Sequence, residues 1–204
     1  MKKKSIFITA TNTNVGKTYS AQKLLIKYAN AGYSVGYYKP IETGVTNLPA
    51  DGAQLLELAS ILNPSFNVTI NDVVPYQFNL PAAPFVSKGS TKIDIEFIKQ
   101  QRDFLFKFCD MLIIEGAGGV MVPIEKDYFM IDLIKDLNCD ENILISPSKL
   151  GSINDTLLSM EALKRRNIAF KWYVNLLEDK ESYEQVTLPF YKEVFKNILY
   201  INDI

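Results

Sequence analysis

Ser5-Ile-Phe-Ile-Thr-Ala10-Thr-Asn-Thr-Asn-Val15-Gly-Lys-Thr18 opens as an apolar, β-branched run and closes on Gly-Lys-Thr. From Thr11 to Thr18 the spacing fits a phosphate-binding loop, with threonine where the first glycine usually stands. Directly behind it Ala21, Leu24, Leu25 and Tyr28 repeat at i, i+3, i+4 and i+7, and Gly32 supplies a stop, so a helix follows. A loop between a strand end and a helix start faces the helix's free N–H groups and the positive end of its dipole. Asn14, Val15 and Gly16 would then wrap phosphate oxygens. Lys17 would reach the β and γ phosphates, and Thr18 would offer its hydroxyl to Mg²⁺. A surface Gly-Lys turn has the same tripeptide, but not this position between a strand and an amphipathic helix.

Moving outward, comparable apolar runs recur at 34–38, 111–114, 142–146 and 170–174, with helix-like stretches between them. This alternation predicts an α/β fold, a single-domain P-loop architecture over 1–204 with a mostly parallel sheet and helices on both faces. A second helix is expected over 152–166, with Ser152 as N-cap, Asp155 three residues on, and an apolar stripe of Ile153, Leu157, Met160 and Leu163. The Pro-rich stretch from Leu80 to Gly89 reads as a packed loop or a helix entry.

Composition narrows the function. With 22 Lys+Arg against 23 Asp+Glu, the formal charge is −1, which gives no basic field for a nucleic acid. The chain has no histidine, which removes Ser-His-Asp and Cys-His nucleophile systems and histidine-ligated zinc. Cys109 and Cys139 lack metal-ligand spacing and read as reduced thiols of a cytoplasmic protein. The N-terminal Met-Lys-Lys-Lys precedes too short an apolar run for an export signal, and no stretch approaches the roughly 20 apolar residues of a membrane span. A small-molecule substrate is the expectation.

Further candidate residues stand at predicted strand ends, where open α/β sheets collect ligands. Glu115 follows Met111-Leu-Ile-Ile114 and opens Glu-Gly116-Ala117-Gly118-Gly119, a turn in which glycines allow close approach to a ligand. Lys39 follows Gly36-Tyr-Tyr38 and precedes Pro40, which favours extended geometry at the lysine. On local grounds Lys39 also fits a solvated rim charge, and Asp51, in Pro49-Ala-Asp-Gly52, fits a helix N-cap as well as a metal ligand.

Thr11 to Thr18, Gly36-Tyr-Tyr-Lys39-Pro-Ile-Glu-Thr43-Gly44, Pro81-Ala-Ala-Pro84, Glu115-Gly-Ala-Gly-Gly119 and Lys149-Leu-Gly-Ser-Ile-Asn154 together resemble the dethiobiotin synthase family. The resemblance implies that 7,8-diaminononanoate and CO₂ form a carbamate, that the γ-phosphate of a nucleoside triphosphate activates it, and that the second amine closes a ureido ring. It implies Mg²⁺ held by Thr18, Asp51 and Glu115, with ATP or another triphosphate as co-substrate. Lys17 and Lys39 become the catalytic lysines. Thr11, Lys39 and Thr43 would contact substrate, and Asn14 to Thr18, Asp51, Glu115 to Gly118 and Asn175 the nucleotide. It also implies a homodimer, in which Gly151, Ser152 and Asn154 of the partner subunit receive the substrate carboxylate.

The chain departs from the family pattern in three places. Ala10 stands where glycine is usual, Asn14 where an acid is frequent, and Asn175-Leu176 where an Asn-Asp-like pair contacts the base. The chain also ends at Ile204, where relatives commonly carry a base-covering segment, so weak base discrimination is expected. Two other classes share parts of the pattern. A partition or site-selection ATPase would carry a further lysine early in the phosphate loop, and Thr11 to Val15 has none. A P-loop amidoligase commonly adds a glutaminase domain, for which 204 residues leave no room.

Overall fold

The computed structural model describes residues 2–176 and 180–204. Its strands are β1 (Lys4–Ala10), β2 (Val35–Tyr38), β3 (Ile41–Thr43), β4 (Tyr76–Phe78), β5 (Met111–Gly119), β6 (Pro123–Glu125), β7 (Tyr128–Phe129), β8 (Glu141–Pro147), β9 (Lys171–Asn175) and β10 (Leu199–Tyr200). The α-helices are α1 (Lys17–Asn30), α2 (Ala50–Leu62), α3 (Ile70–Val73), α4 (Pro84–Ser87), α5 (Ile95–Leu105), α6 (Met130–Leu137), α7 (Ser152–Arg165), α8 (Lys180–Ser182) and α9 (Leu188–Val194).

The main sheet runs β10-β9-β8-β1-β5-β2, and every pairing in it is parallel. β1 is buried from Ser5 to Ala10 and β5 from Met111 to Gly116, the unbroken apolar burial of a sheet with helices on both faces. β1 is central because its run of Ile6, Phe7 and Ile8, each at most 2% exposed, has no polar face to give to water. Its carboxyl end therefore opens between β5 and β8, in the middle of the sheet edge where ligands gather.

β2 leads through Lys39 and Pro40 to β3, which pairs with β4 outside the main sheet. That detour leads through Thr43 to α2, which packs against β2 and α1. The Leu80–Gly89 stretch is a helix entry, with Pro84 starting α4, where a missing N–H costs nothing.

Three local expectations are corrected. Ser152 is the first residue of α7, not its cap: Gly151 caps it at φ 89° with no side-chain hydrogen bond. The buried stripe of α7 is Ser152, Thr156, Ser159, Met160 and Leu163, while Leu157 is 37% exposed. The buried face of the helix carries small hydroxyl residues, and Tyr191 OH donates to Thr156 Oγ1 at 3.0 Å, which satisfies that buried group. Glu115 lies inside β5 rather than in a turn after it, because pairing with β1 resumes at Ala10 with Gly119 after a bulge.

Candidate active site

The loop between β1 and α1 is shaped by backbone that few residues adopt. Asn14 and Gly16 sit at φ 55° and 96°, and a Cβ on Gly16 would fall 2.0 Å from Asn175 Nδ2. That nitrogen donates to Val15 O at 3.0 Å, so the end of β9 clamps the loop against the sheet. Gly16 caps α1 without a side-chain acceptor, which leaves the first N–H groups of the helix free for an anion. Lys17 folds back and donates to Asn12 O at 3.2 Å. It is 8% exposed. Burial, with the nearby Lys39 charge, lowers its pKa to about 8 against the pull of Glu115 and Asp51.

Facing the loop is an ionic cluster. Lys39 Nζ lies 2.5 Å from Asp51 Oδ2 and 2.9 Å from Glu115 Oε1. Thr18 Oγ1 donates to the same Oε1 at 3.0 Å, and Tyr37 OH donates to Glu115 Oε2 at 2.8 Å. Burial opposes the Lys39 charge, but Glu115, Asp51 and Glu42 outweigh it and hold the ammonium above its ordinary pKa. Lys39 is 5% exposed, so it is no solvated rim charge. Asp51 is the second residue of α2, whose N-cap is Pro49, so the helix-cap alternative for its side chain falls. That capping role belongs to Glu42, whose two oxygens accept from the N–H groups of Asp51 (3.2 Å) and Gly52 (2.9 Å).

Loop and cluster share one cavity of about 780 Å³. Asn14, Val15, Gly16, Lys17, Thr18, Lys39, Thr43, Asp51, Glu115, Gly116, Ala117, Gly118 and Asn175 all line it. Thr11, Gly151, Ser152 and Asn154 do not line it in the same chain. Thr11 Oγ1 and Ser152 Oγ are buried without a hydrogen-bond partner among the described residues, and Asn154 pairs with Asp155 at 3.2 Å.

The sequence reading missed Tyr37 and Glu42. One signal for Tyr37 was available: alternation along an extended segment puts 37 and 39 on one face, so a residue two before Lys39 reaches the same carboxylate. Pro81 to Pro84, Ser148 and Lys149 complete the wall.

The donor set fits a hard divalent ion. One ammonium touches both Asp51 and Glu115, so the two carboxylates converge on a single cationic position beside the Thr18 hydroxyl. No group of three or more His, Cys, Asp or Glu side chains forms a metal cage among the described residues. Mg²⁺ needs none, since it takes one or two carboxylates and completes its shell with phosphates and water.

Comparison with known proteins agrees with this chemistry. Residues 4–187 match the model of an AAA domain family. The ATP-dependent dethiobiotin synthetase BioD of Sulfurovum sp. is 53% identical over 94% of this chain and 91% of its own length. The Wolinella succinogenes protein of the same name is 39% identical over 93% and 89%. Among solved structures, a plasmid partition protein of Borrelia burgdorferi superposes at a TM-score of 0.61 with 16% identity, covering 99% of this chain and 95% of that one. The MinD cell division protein of Aquifex aeolicus gives 0.56 and 17%, over 96% and 80%. At such identities these two establish the parallel P-loop fold alone. A phosphate loop facing a lysine-bridged pair of carboxylates, together with relatives this similar over nearly the whole length, places the chain in the family of ATP-dependent dethiobiotin synthetases.

Proposed function

We infer that this chain joins 7,8-diaminononanoate and CO₂ into dethiobiotin at the expense of ATP. The observation that carries the reading is the single cavity shared by the phosphate loop and the Lys39 to Thr43 segment, with the Lys39 ammonium between them. One amine of the diamine bonds CO₂ and sheds a proton, giving a carbamate. A carbamate oxygen attacks the γ-phosphorus as the bond to ADP breaks. The second amine then attacks the carbamate carbon, expels phosphate, and closes the ring with loss of a second proton.

The carbamate oxygen is already an anion, so phosphoryl transfer needs alignment and charge neutralisation rather than a histidine base. Lys17 and the N–H groups at the start of α1 hold the transferring group. Lys39 meets the carbamate and the incoming phosphate charge, and Thr43 hydrogen-bonds the substrate. Thr18, Asp51 and Glu115 would hold Mg²⁺, which would neutralise charge on the β and γ phosphates. Asn175 Oδ1, a buried acceptor with no partner among the described residues, suits a base with an exocyclic amino group.

The active unit on this reading is a homodimer. Gly151, Ser152 and Asn154 lie outside their own cavity, and Leu150 and Leu158 beside them are 76% and 58% exposed, an apolar surface suited to a second copy. Light scattering that returns only the 23.1 kDa monomer at assay concentrations contradicts this arrangement.

The reaction is tested with ¹³C-bicarbonate. The label should appear in the ureido carbonyl of the product by mass spectrometry, and an unlabelled product would rule the carbamate route out. Thr43→Ala should raise KM for the diamine about five-fold, the worth of one neutral hydrogen bond, with KM for ATP little changed; the reverse pattern moves Thr43 to the nucleotide.

ATP affinity measured without metal should hold below pH 8 and fall about tenfold per unit above it. Phosphates favour protonated Lys17, whose pKa in the free protein is about 8. A flat profile through pH 9.5 would show that Lys17 does not carry this interaction.

A further inference from the structure

The hydrogen bonds to Glu115 divide between its two oxygens. Oε1 accepts from Thr18 Oγ1 at 3.0 Å and from Lys39 Nζ at 2.9 Å. Oε2 accepts from Tyr37 OH at 2.8 Å. Glu115 lines the cavity and Tyr37 does not, so the phenol holds the carboxylate from behind. Both are closed to solvent, Tyr37 at 0% and Glu115 at 1% exposure, so no water competes for Oε2.

We propose that Tyr37 makes this site prefer Mg²⁺ over Ca²⁺, by holding Oε2 back so that Glu115 presents a cation with one oxygen only. The proposal rests on the reading of Glu115 as a metal ligand. Mg²⁺ takes a tight octahedron at about 2.0–2.1 Å with one oxygen from each carboxylate, whereas Ca²⁺ accepts six to eight oxygens at about 2.3–2.6 Å and readily takes both from one carboxylate. A carboxylate with one oxygen tied down suits the first ion and starves the second. Residues behind a ligand commonly set its geometry in this way, and losing them weakens metal affinity about 10–100-fold. Tyr37 is thus a positioning residue that acts through Glu115.

Calorimetric titration of ATP into the wild type, Tyr37→Phe and Glu115→Gln tests this, each run in Mg²⁺, in Ca²⁺ and without divalent metal, with unfolding midpoints recorded alongside. Phenylalanine keeps every ring carbon and deletes one donor. In Tyr37→Phe the Mg²⁺-to-Ca²⁺ affinity ratio should fall about tenfold, through weaker binding in Mg²⁺ and unchanged or tighter binding in Ca²⁺. An equal loss in both ions would mark general damage to the site and overturn the proposal, as would an unaltered ratio. Glu115→Gln separates the two levels. If it binds ATP in both ions as the wild type does, the ligand reading itself fails; if it loses metal dependence while Tyr37→Phe keeps the normal ratio, only the role of Tyr37 fails.

Discussion

Lys39→Met should lower turnover at least about a thousand-fold and also destabilise the free protein. The kinetic loss follows from removing the ammonium that meets developing charge on the carbamate and the phosphoryl group, where one preorganised donor is worth about 10²–10³ in rate and a full charge more. The stability loss has a separate cause. Lys39 bridges Asp51 and the buried Glu115, with Glu42 close enough to raise its pKa further. Methionine matches the side chain out to Cε but leaves Glu115 with an uncompensated charge, and breaking a buried pair from one side costs about 3–5 kcal/mol. Thermal unfolding should therefore shift down by several degrees. Normal turnover in this variant would remove Lys39 from the chemistry.

Lys17→Met should abolish turnover as completely, with the opposite effect on stability. Its folded pKa is about 8 against an ordinary 10.5, so at neutral pH the folded chain holds a charge that its surroundings resist. A gap of that size corresponds to about 3 kcal/mol, an upper figure because the side chain keeps some contact with water. The sign follows from proton counting: between about pH 8 and 10.5 the unfolded chain binds the extra proton, so stability rises with pH across that window and the penalty is fully present below it. Replacing the charge with methionine should raise the unfolding midpoint at pH 7 and remove the rise between pH 8 and 10.5. Two lysines in one cavity would then give equal kinetic losses with stability changes of opposite sign. A midpoint that falls in Lys17→Met as it does in Lys39→Met would contradict this division.

That division explains why the phosphate loop was legible in the sequence and much of the cluster was not. Thr11 to Thr18 is a contiguous motif fixed by short-range geometry: a strand end, a glycine at positive φ and a helix start. The five main strands were equally readable, because a sheet buried on both faces leaves apolar runs such as Ile6–Ile8, Met111–Ile114 and Ile143–Ile145. Glu115, Lys39 and Asp51 stood out as charges at strand or helix ends, but their convergence depends on β2 pairing with β5 and on the β3–β4 detour that brings α2 across. Nothing local to any one segment records that. Tyr37 and Glu42 were missed for the same reason: a tyrosine in a buried strand and an acid beside a threonine look like packing and surface until their partners are known.

The errors in α7 share a physical cause. Apolar periodicity selected Leu157 for the core, whereas the inward face is built from Ser152, Thr156 and Ser159. Hydroxyl side chains do not register in an apolar period, so a face built from them is passed over in favour of the leucines beside it. Of the leucines left outside, Leu158 joins Leu150 in the apolar surface proposed above for the second subunit. The cap was misread because Gly151 at φ 89° starts the helix through its backbone alone, which makes Ser152 look like the capping residue one position too late.

The most direct test of the account follows phosphate release and dethiobiotin together, with ATP, Mg²⁺ and bicarbonate present and the diamine varied. Phosphate release that depends on the diamine and matches dethiobiotin one for one is the predicted result. ATP hydrolysis indifferent to the diamine, with no ureido product, would contradict it and leave a nucleotide-binding P-loop protein whose second subsite serves another purpose.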